Sequence, residues 1–351
     1  MKFLFFGAGA IGTYIGGSLA LAGHTVAYIE RPGVAEKIRR SGLALSIAGR
    51  EQQIPIPFLY SSAEDALQAG PYDLVASAVK SYDTASAVEQ LEGSQSKLPP
   101  ALCLQNGVEN ESALETVFGS EGVIAGSVTS AVGRGPDGTV ILERKRGVGI
   151  AGGHALSRSI VEAFNRADLN ARLYPSAPSM KWSKMLTNLI ANASTAILGM
   201  PPAEIYSHPK SFLLEREMLR ECLRVMGAAG IPVTDLPGTP VRALALAVEH
   251  LPATLARPIL NRAVGAGRGG KMPSLFLDLQ TGRGKSEVQW LNGAVARAGR
   301  RLGVSTPVNS LLAGTLTCLT EGRENREAFL HKPDQLIALL APADRSRIGL
   351  G

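Results

Sequence analysis

The sequence predicts an α/β chain in two parts. Residues 1–177 read as an N-terminal Rossmann-type, doubly wound sheet, 178–340 as a second, mostly α-helical domain, and 341–351 as a loose tail. Three observations carry that reading. Residues 2–29 run strand, glycine turn, helix, strand. Apolar, strand-like runs then recur up to Tyr174. After Tyr174-Pro175-Ser176-Ala177-Pro178 they stop, and helical periodicity takes over.

The glycine turn is Gly7-Ala8-Gly9-Ala10-Ile11-Gly12. It separates the apolar run Lys2–Phe6 from an amphipathic run at 13–21, and a second apolar run, Thr25–Ile29, ends at Glu30. A GxGxxG alone is weak evidence, but in this order it marks a dinucleotide-binding βαβ unit. Gly7 serves the tight turn, Gly9 lets the backbone approach a pyrophosphate, and Gly12 lets helix and strand pack closely. The helix N-terminus adds N–H groups and partial positive charge, so Gly7, Ala8, Gly9, Ala10, Ile11 and Gly12 are the expected cofactor cradle. Lys2 followed by apolar residues also resembles a secretory signal. The interior glycines argue against it, since each costs a helix ~1 kcal/mol relative to Ala.

Further strands are expected at 73–79, 101–104, 123–132, 139–142 and 148–150. Arg134-Gly135-Pro136-Asp137-Gly138 is turn chemistry, so the sheet should finish in an antiparallel hairpin. Beyond the switch, helices are expected at 180–198, 212–229, 241–251, 287–302 and 306–320, with the glycine-rich Gly265-Ala266-Gly267-Arg268-Gly269-Gly270 as a flexible interruption.

With 45% apolar and 19% charged residues the chain can build full cores, and no apolar stretch suits a membrane span. Three widely spaced cysteines show no metal-ligand spacing, so no metal is expected, and they fit a reducing, cytoplasmic setting. The net charge of +6 invites nucleic acid as a partner. The basic residues are scattered, however, and aromatics reach only 5%, so a basic surface attractive to small anions is the better reading.

In open α/β sheets, ligands sit beyond the carboxyl ends of the strands. Lys80 and Asn106 occupy such positions, although Asn106-Gly107 also suits an ordinary turn. In the helix from Lys181 to Asn192, Lys184, Asn188 and Asn192 recur at i, i+4 and i+8. They would share one polar face, with Lys181 and Thr195 near it. Buried amides need partners, which makes a ligand-facing seam the better account than a solvent face. Pro273-Ser274 reads as a helix start with Ser274 as N-cap, and Ser286-x-x-Gln289 as a capping box led by Glu287.

Taken together, Gly7-x-Gly9-x-x-Gly12, Lys80, Leu104-Gln105-Asn106-Gly107, Lys184-x-x-x-Asn188-x-x-x-Asn192, Ser274-x-x-x-Asp278 and Ser286-Glu287 resemble the ketopantoate reductase family, in family order. The resemblance implies reduction of 2-dehydropantoate, or a related branched 2-keto acid, by NADPH. It implies Lys184 as general acid and Glu287 as the group that orients the substrate hydroxyl and contacts the cofactor. Asn106, Asn188, Asn192 and Ser274 would hold substrate. Lys80 and Asn106 would lie where nicotinamide and substrate meet, and Arg31 would take the 2′-phosphate of NADP. An unperturbed lysine is a weak acid near neutrality, so Lys184 would need desolvation or the nearby Lys181 to tune it. Glu30 beside Arg31 leaves NAD as the alternative cofactor, because an acid there usually binds an NAD ribose. The stretch 231–270 is longer than in typical members, which opens the reading of another keto or imino acid as substrate. A third reading is a non-catalytic NADP(H) sensor. The helices at 212–229 and 306–320 fit either internal packing or a homodimer.

Overall fold

Residues 1–55, 58–94, 98–268 and 271–350 are described by the structure, a computed structural model. The chain divides into two units, Met1–Lys181 with Asp235–Thr239, and Trp182–Thr234 with Pro240–Gly351.

The first unit holds β1 (Lys2–Phe6), β2 (Thr25–Ile29), β3 (Leu43–Ile47), β4 (Arg50–Ile54), β5 (Phe58–Tyr60), β6 (Leu74–Ser77) and β7 (Ala101–Cys103). They are followed by β8 (Val123–Val128), β9 (Ala131–Arg134), β10 (Val140–Arg144), β11 (Val148–Ala151) and β12 (Ala171–Tyr174). Its larger sheet has the order β12-β11-β8-β7-β6-β1-β2-β5. Pairing is parallel from β5 to β8, and β11 then joins β8 antiparallel. The chain leaves β1 towards β2 and returns on its other side at β6, so the switch point of the winding lies beside β1. Strands buried on both faces explain why β1, β6 and β7 read as unbroken apolar runs. The helices are α1 (Ala10–Leu21), α2 (Pro32–Ser41), α3 (Ala63–Gln68), α4 (Thr84–Glu89), α5 (Asn110–Phe118) and α6 (Ser157–Arg166).

A second sheet, β4-β3-β10-β9, contains the expected hairpin: β9 and β10 pair antiparallel across Gly135–Gly138, held by Asp137 accepting from Thr139. The β3–β4 hairpin was not expected from the sequence. Its consequence falls on α1, expected to be amphipathic but buried continuously from Gly12 to Leu19. A Cβ on Gly16 would lie 2.5 Å from Tyr28 Oη of the large sheet, and one on Gly17 would strike Ile54 of the small one. The helix is clasped between two sheets, and its glycines make room for both.

The second unit is helical. α7 (Ala177–Leu189) begins at the end of the first unit's residues, and α8 (Ala193–Leu198), α9 (Pro202–Ser207), α10 (Pro209–Ala228), α11 (Val241–His250) and α12 (Ala253–Arg268) follow. Next come α13 (Ser274–Gln280), α14 (Asn292–Leu302), α15 (Pro307–Thr320), α16 (Pro333–Ala338) and α17 (Pro342–Ile348). The glycine-rich segment is helical through Arg268, and Gly269-Gly270 lie outside the described residues. Residues 341–350, expected as a loose tail, contain α17 and bury Leu350. No helix among the described residues is long and apolar enough to cross a membrane.

The expected helix at 180–198 is broken after Leu189. Ala191 adopts φ +44, and Ala193 starts a new helix. A left-handed alanine is strained, and the compensation comes from α10. Glu215, fully buried, accepts the Ala191 N–H at 2.7 Å and the Ser194 hydroxyl at 2.5 Å. Six residues on, the fully buried Glu221 accepts Val308 N–H and Asn309 N–H, both at 2.8 Å. One helix thus supplies carboxyl groups to the starts of two others, at α8 holding the break and at α15 satisfying N–H groups that helix geometry leaves unpaired.

Burial pushes the Glu221 carboxyl up to about 7, against the hydrogen bonds from Asn309 and Val308. In the unfolded chain it titrates near the ordinary glutamate value, so the folded state holds this proton over a wider range. The associated stability is fully present below about pH 4.5 and is lost as pH rises through 7. Urea midpoints should therefore fall across that window, and Glu221→Gln should flatten this part of the profile. An unchanged pH dependence in the variant would remove the assignment.

Candidate active site

In the first unit the loops at the carboxyl ends of β1, β2, β6 and β7 carry the residues singled out by sequence. The glycine turn follows β1. Gly7 has φ +92, a conformation that favours glycine. A Cβ on Gly12 would overlap the Gly7 carbonyl oxygen, so close packing demands glycine there. Gly9 differs: a Cβ would meet nothing within 4 Å. It caps α1 with no side-chain hydrogen bond, and the first turn of α1 has no acid. Open space before an uncapped helix start is what a close-approaching phosphate requires, so these residues fit a dinucleotide.

At the end of β2, the Glu30 carboxylate accepts Ala8 N–H at 2.6 Å and Arg31 N–H at 3.2 Å. It braces the glycine turn. Arg31 is the exposed N-cap residue of α2. After β6, Lys80 precedes a single 3₁₀ turn, Ser81–Asp83. After β7, the Asn106 carbonyl accepts from Ser81 Oγ at 3.1 Å and Asn110 Nδ2 at 2.6 Å, which ties the Lys80 and Asn106 loops together. Beneath them Gln105 accepts from Ser77 and donates to Thr84, forming a buried polar layer. Buried amides satisfied in this way fix a loop rather than burden it.

Lys181 belongs to this layer. Its ammonium lies 2.7 Å from Glu111 Oε1 and donates to the Gln105 carbonyl at 2.7 Å. Burial opposes the charge, but Glu111 beside it leaves the group above the ordinary lysine range. Lys181 therefore carries its own counter-ion. Glu111, at i+5 from Asn106, carried no sequence signal for this pairing.

In the second unit, Lys184 and Asn188 are half-buried and one turn apart on α7. Asn192 is not on that helix: it stands in the break before α8, so the expected i+8 stripe ends at Asn188. Thr195 likewise falls on α8, fully buried. Asn192 makes a different junction. Its Nδ2 donates to the Asn188 carbonyl at 2.9 Å, and its Oδ1 accepts Leu275 N–H at 3.1 Å. Ser274, expected as an N-cap, is instead the first residue of α13, after Pro273. The side-chain cap comes across space from Asn192, which thereby joins the Asn188 and Ser274 positions. Glu287 is 4% exposed and opens a 3₁₀ turn, Glu287–Trp290. Ser286 caps Val288 N–H, but no capping box forms, because Gln289 reaches Thr317 and Arg297 instead.

Comparison with known proteins identifies the family. The profile of ketopantoate reductase PanE/ApbA matches residues 3–152, and that of its C-terminal part matches 178–319. The chain is similar to 2-dehydropantoate 2-reductase of Halobacterium salinarum, 27% identical over 89% of this chain and 97% of the relative. It is also similar to that of Pyrococcus horikoshii, 26% identical over 89% and 95%. The structure of a PanE/ApbA family ketopantoate reductase from Ralstonia eutropha superimposes with TM-score 0.76 at 27% identity, covering 93% of this chain and all of the other. D-mandelate dehydrogenase, solved with NADH and anilino(oxo)acetate, shares the fold at TM-score 0.74 and 21% identity, over 92% and 99% of the two chains. Fold and matches together define an oxidoreductase acting on CH–OH groups. The chain belongs to the ketopantoate reductase family.

Proposed function

We propose that this protein reduces 2-dehydropantoate, or a closely related branched 2-keto acid, to the 2-hydroxy acid with NADPH. The observation that carries the reading is the polar set Lys184, Asn188, Asn192, Ser274 and Glu287 in a chain whose two halves both match the family. When bound, the cofactor supplies a hydride to the keto carbon. Gly7 to Gly12 would hold its pyrophosphate, and Lys80 and Asn106 would contact its nicotinamide half. Lys184 passes an Nζ proton to the keto oxygen and regains one from solvent. Glu287 orients the resulting hydroxyl and touches the cofactor. Asn106, Asn188, Asn192 and Ser274 hold substrate polar groups, Asn192 also donating to the Asn188 carbonyl and accepting the Leu275 N–H.

NADP is preferred over NAD in this reading. The Glu30 carboxylate is occupied with backbone N–H groups, whereas Arg31 is exposed at the adjacent position. A guanidinium suits a ribose 2′-phosphate. The test follows NADPH and NADH absorbance against a panel of 2-keto acids. Turnover of 2-dehydropantoate with NADPH favoured is expected. No turnover of any 2-keto acid would sink the proposal.

A further inference from the structure

The cradle around the glycine turn contains no cation of its own: residues 7–21 carry no charged side chain. A dinucleotide's pyrophosphate brings two negative charges, and the nearest acid, Glu30, already faces the turn at Ala8. The second sheet supplies a compensating charge. Arg134, at the end of β9, places Nη2 3.3 Å from the Ala8 carbonyl oxygen. Ala8 immediately precedes Gly9, where a Cβ would find open space. The Ala8 carbonyl also accepts from Thr13 Oγ1 at 2.9 Å, so Arg134 and α1 meet on one atom.

The strand is held along that helix at its other end too. Tyr14 Oη contacts Ser130 Oγ at 3.4 Å, and Ser130, just before β9, accepts Arg146 N–H and Gly147 N–H, both at 3.0 Å. Three residues past Arg134, Asp137 stabilises the turn that closes the hairpin. An exposed arginine is thus fixed at its root by two attachments. Its guanidinium offers five N–H donors, and one contact to a carbonyl leaves its charge undiminished. Among the described residues no carboxylate pairs with it.

We propose that Arg134 is the counter-ion of the cofactor pyrophosphate, reaching it from the second sheet. This rests on the reading of the glycine turn as a dinucleotide site. Arg31 serves the 2′-phosphate and Arg134 the phosphates common to both cofactors, and that division makes the proposal separable.

The experiment measures NADPH and NADH affinity by protein fluorescence for the wild type and for Arg134→Ala, Arg134→Gln, Arg134→Lys and Arg31→Ala. Arg134→Ala should weaken both cofactors by the same ~10–100-fold, as expected for a charge-assisted hydrogen bond. Arg31→Ala should weaken NADPH alone. Arg134→Gln, which can still donate to the Ala8 carbonyl, should be as weak as alanine, and Arg134→Lys should recover part of the loss. The dependence of affinity on salt should be shallower in the alanine and glutamine variants. Affinities within twofold of wild type in Arg134→Ala would overturn the proposal. So would full recovery in Arg134→Gln, because the role would then be to brace the turn, and so would a loss confined to NADPH. A wild type that binds neither dinucleotide would instead overturn the cofactor reading itself, and the proposal with it.

Discussion

Lys184→Ala is expected to lower kcat by ~10²–10⁴, the usual span for removing a general acid. NADPH affinity should stay near wild type, because the glycine turn and Arg31 belong to other loops. The two readouts separate chemistry from folding. Lys184 is half-buried on a helix whose following turn carries Asn188, so alanine, a better helix former, keeps α7 intact. A kcat within about tenfold of wild type would remove Lys184 from the proton transfer. Equal losses of kcat and NADPH affinity would point to a damaged fold.

The paired substitutions Gly12→Ala and Gly9→Ala should have opposite signatures. A methyl at residue 12 would overlap the Gly7 carbonyl oxygen, which is backbone and cannot rotate away. Overpacking of this kind costs ~1–3 kcal/mol or more, and α1 has no slack because sheets press on both of its sides. Gly12→Ala should therefore lower the thermal midpoint sharply. At residue 9 a methyl meets nothing within 4 Å, and the backbone there (φ −67, ψ −170) is open to any residue. Stability should be kept while NADPH affinity drops on the order of 10-fold, ~1.4 kcal/mol. If Gly9→Ala binds NADPH normally, the open space is not where the phosphate lies.

Much of the first unit was legible because parallel, buried strands leave unbroken apolar runs, and because glycine turns have fixed chemistry. Lys2–Phe6, Thr25–Ile29 and the 134–138 turn fell where expected. The β3–β4 hairpin was not legible: Arg50–Ile54 is polar and mostly exposed, so its strand identity comes from pairing with β3. Hence the double clasp on α1 was invisible too. In the second unit the periodicity of 180–198 continues through a break that a distant carboxylate, Glu215, makes tolerable. Local propensity cannot see a partner twenty-four residues away. The same applies to Asn192, whose sequence spacing implied a shared face but whose hydrogen bonds cap another helix. The chemistry-bearing residue types were readable. Which of them brace the others was not.

The enclosure of α1 also bears on how tightly a ligand can be held there. A loop that must organise around an incoming phosphate spends part of its interaction free energy on that ordering. Here the helix is gripped along both flanks, the turn is tied to Glu30, and the Ala8 carbonyl is anchored by Thr13 before anything arrives. Under the proposed cofactor reading, the cradle meets its phosphate already set, and the attraction between amides and phosphate goes into residence time instead of rearrangement.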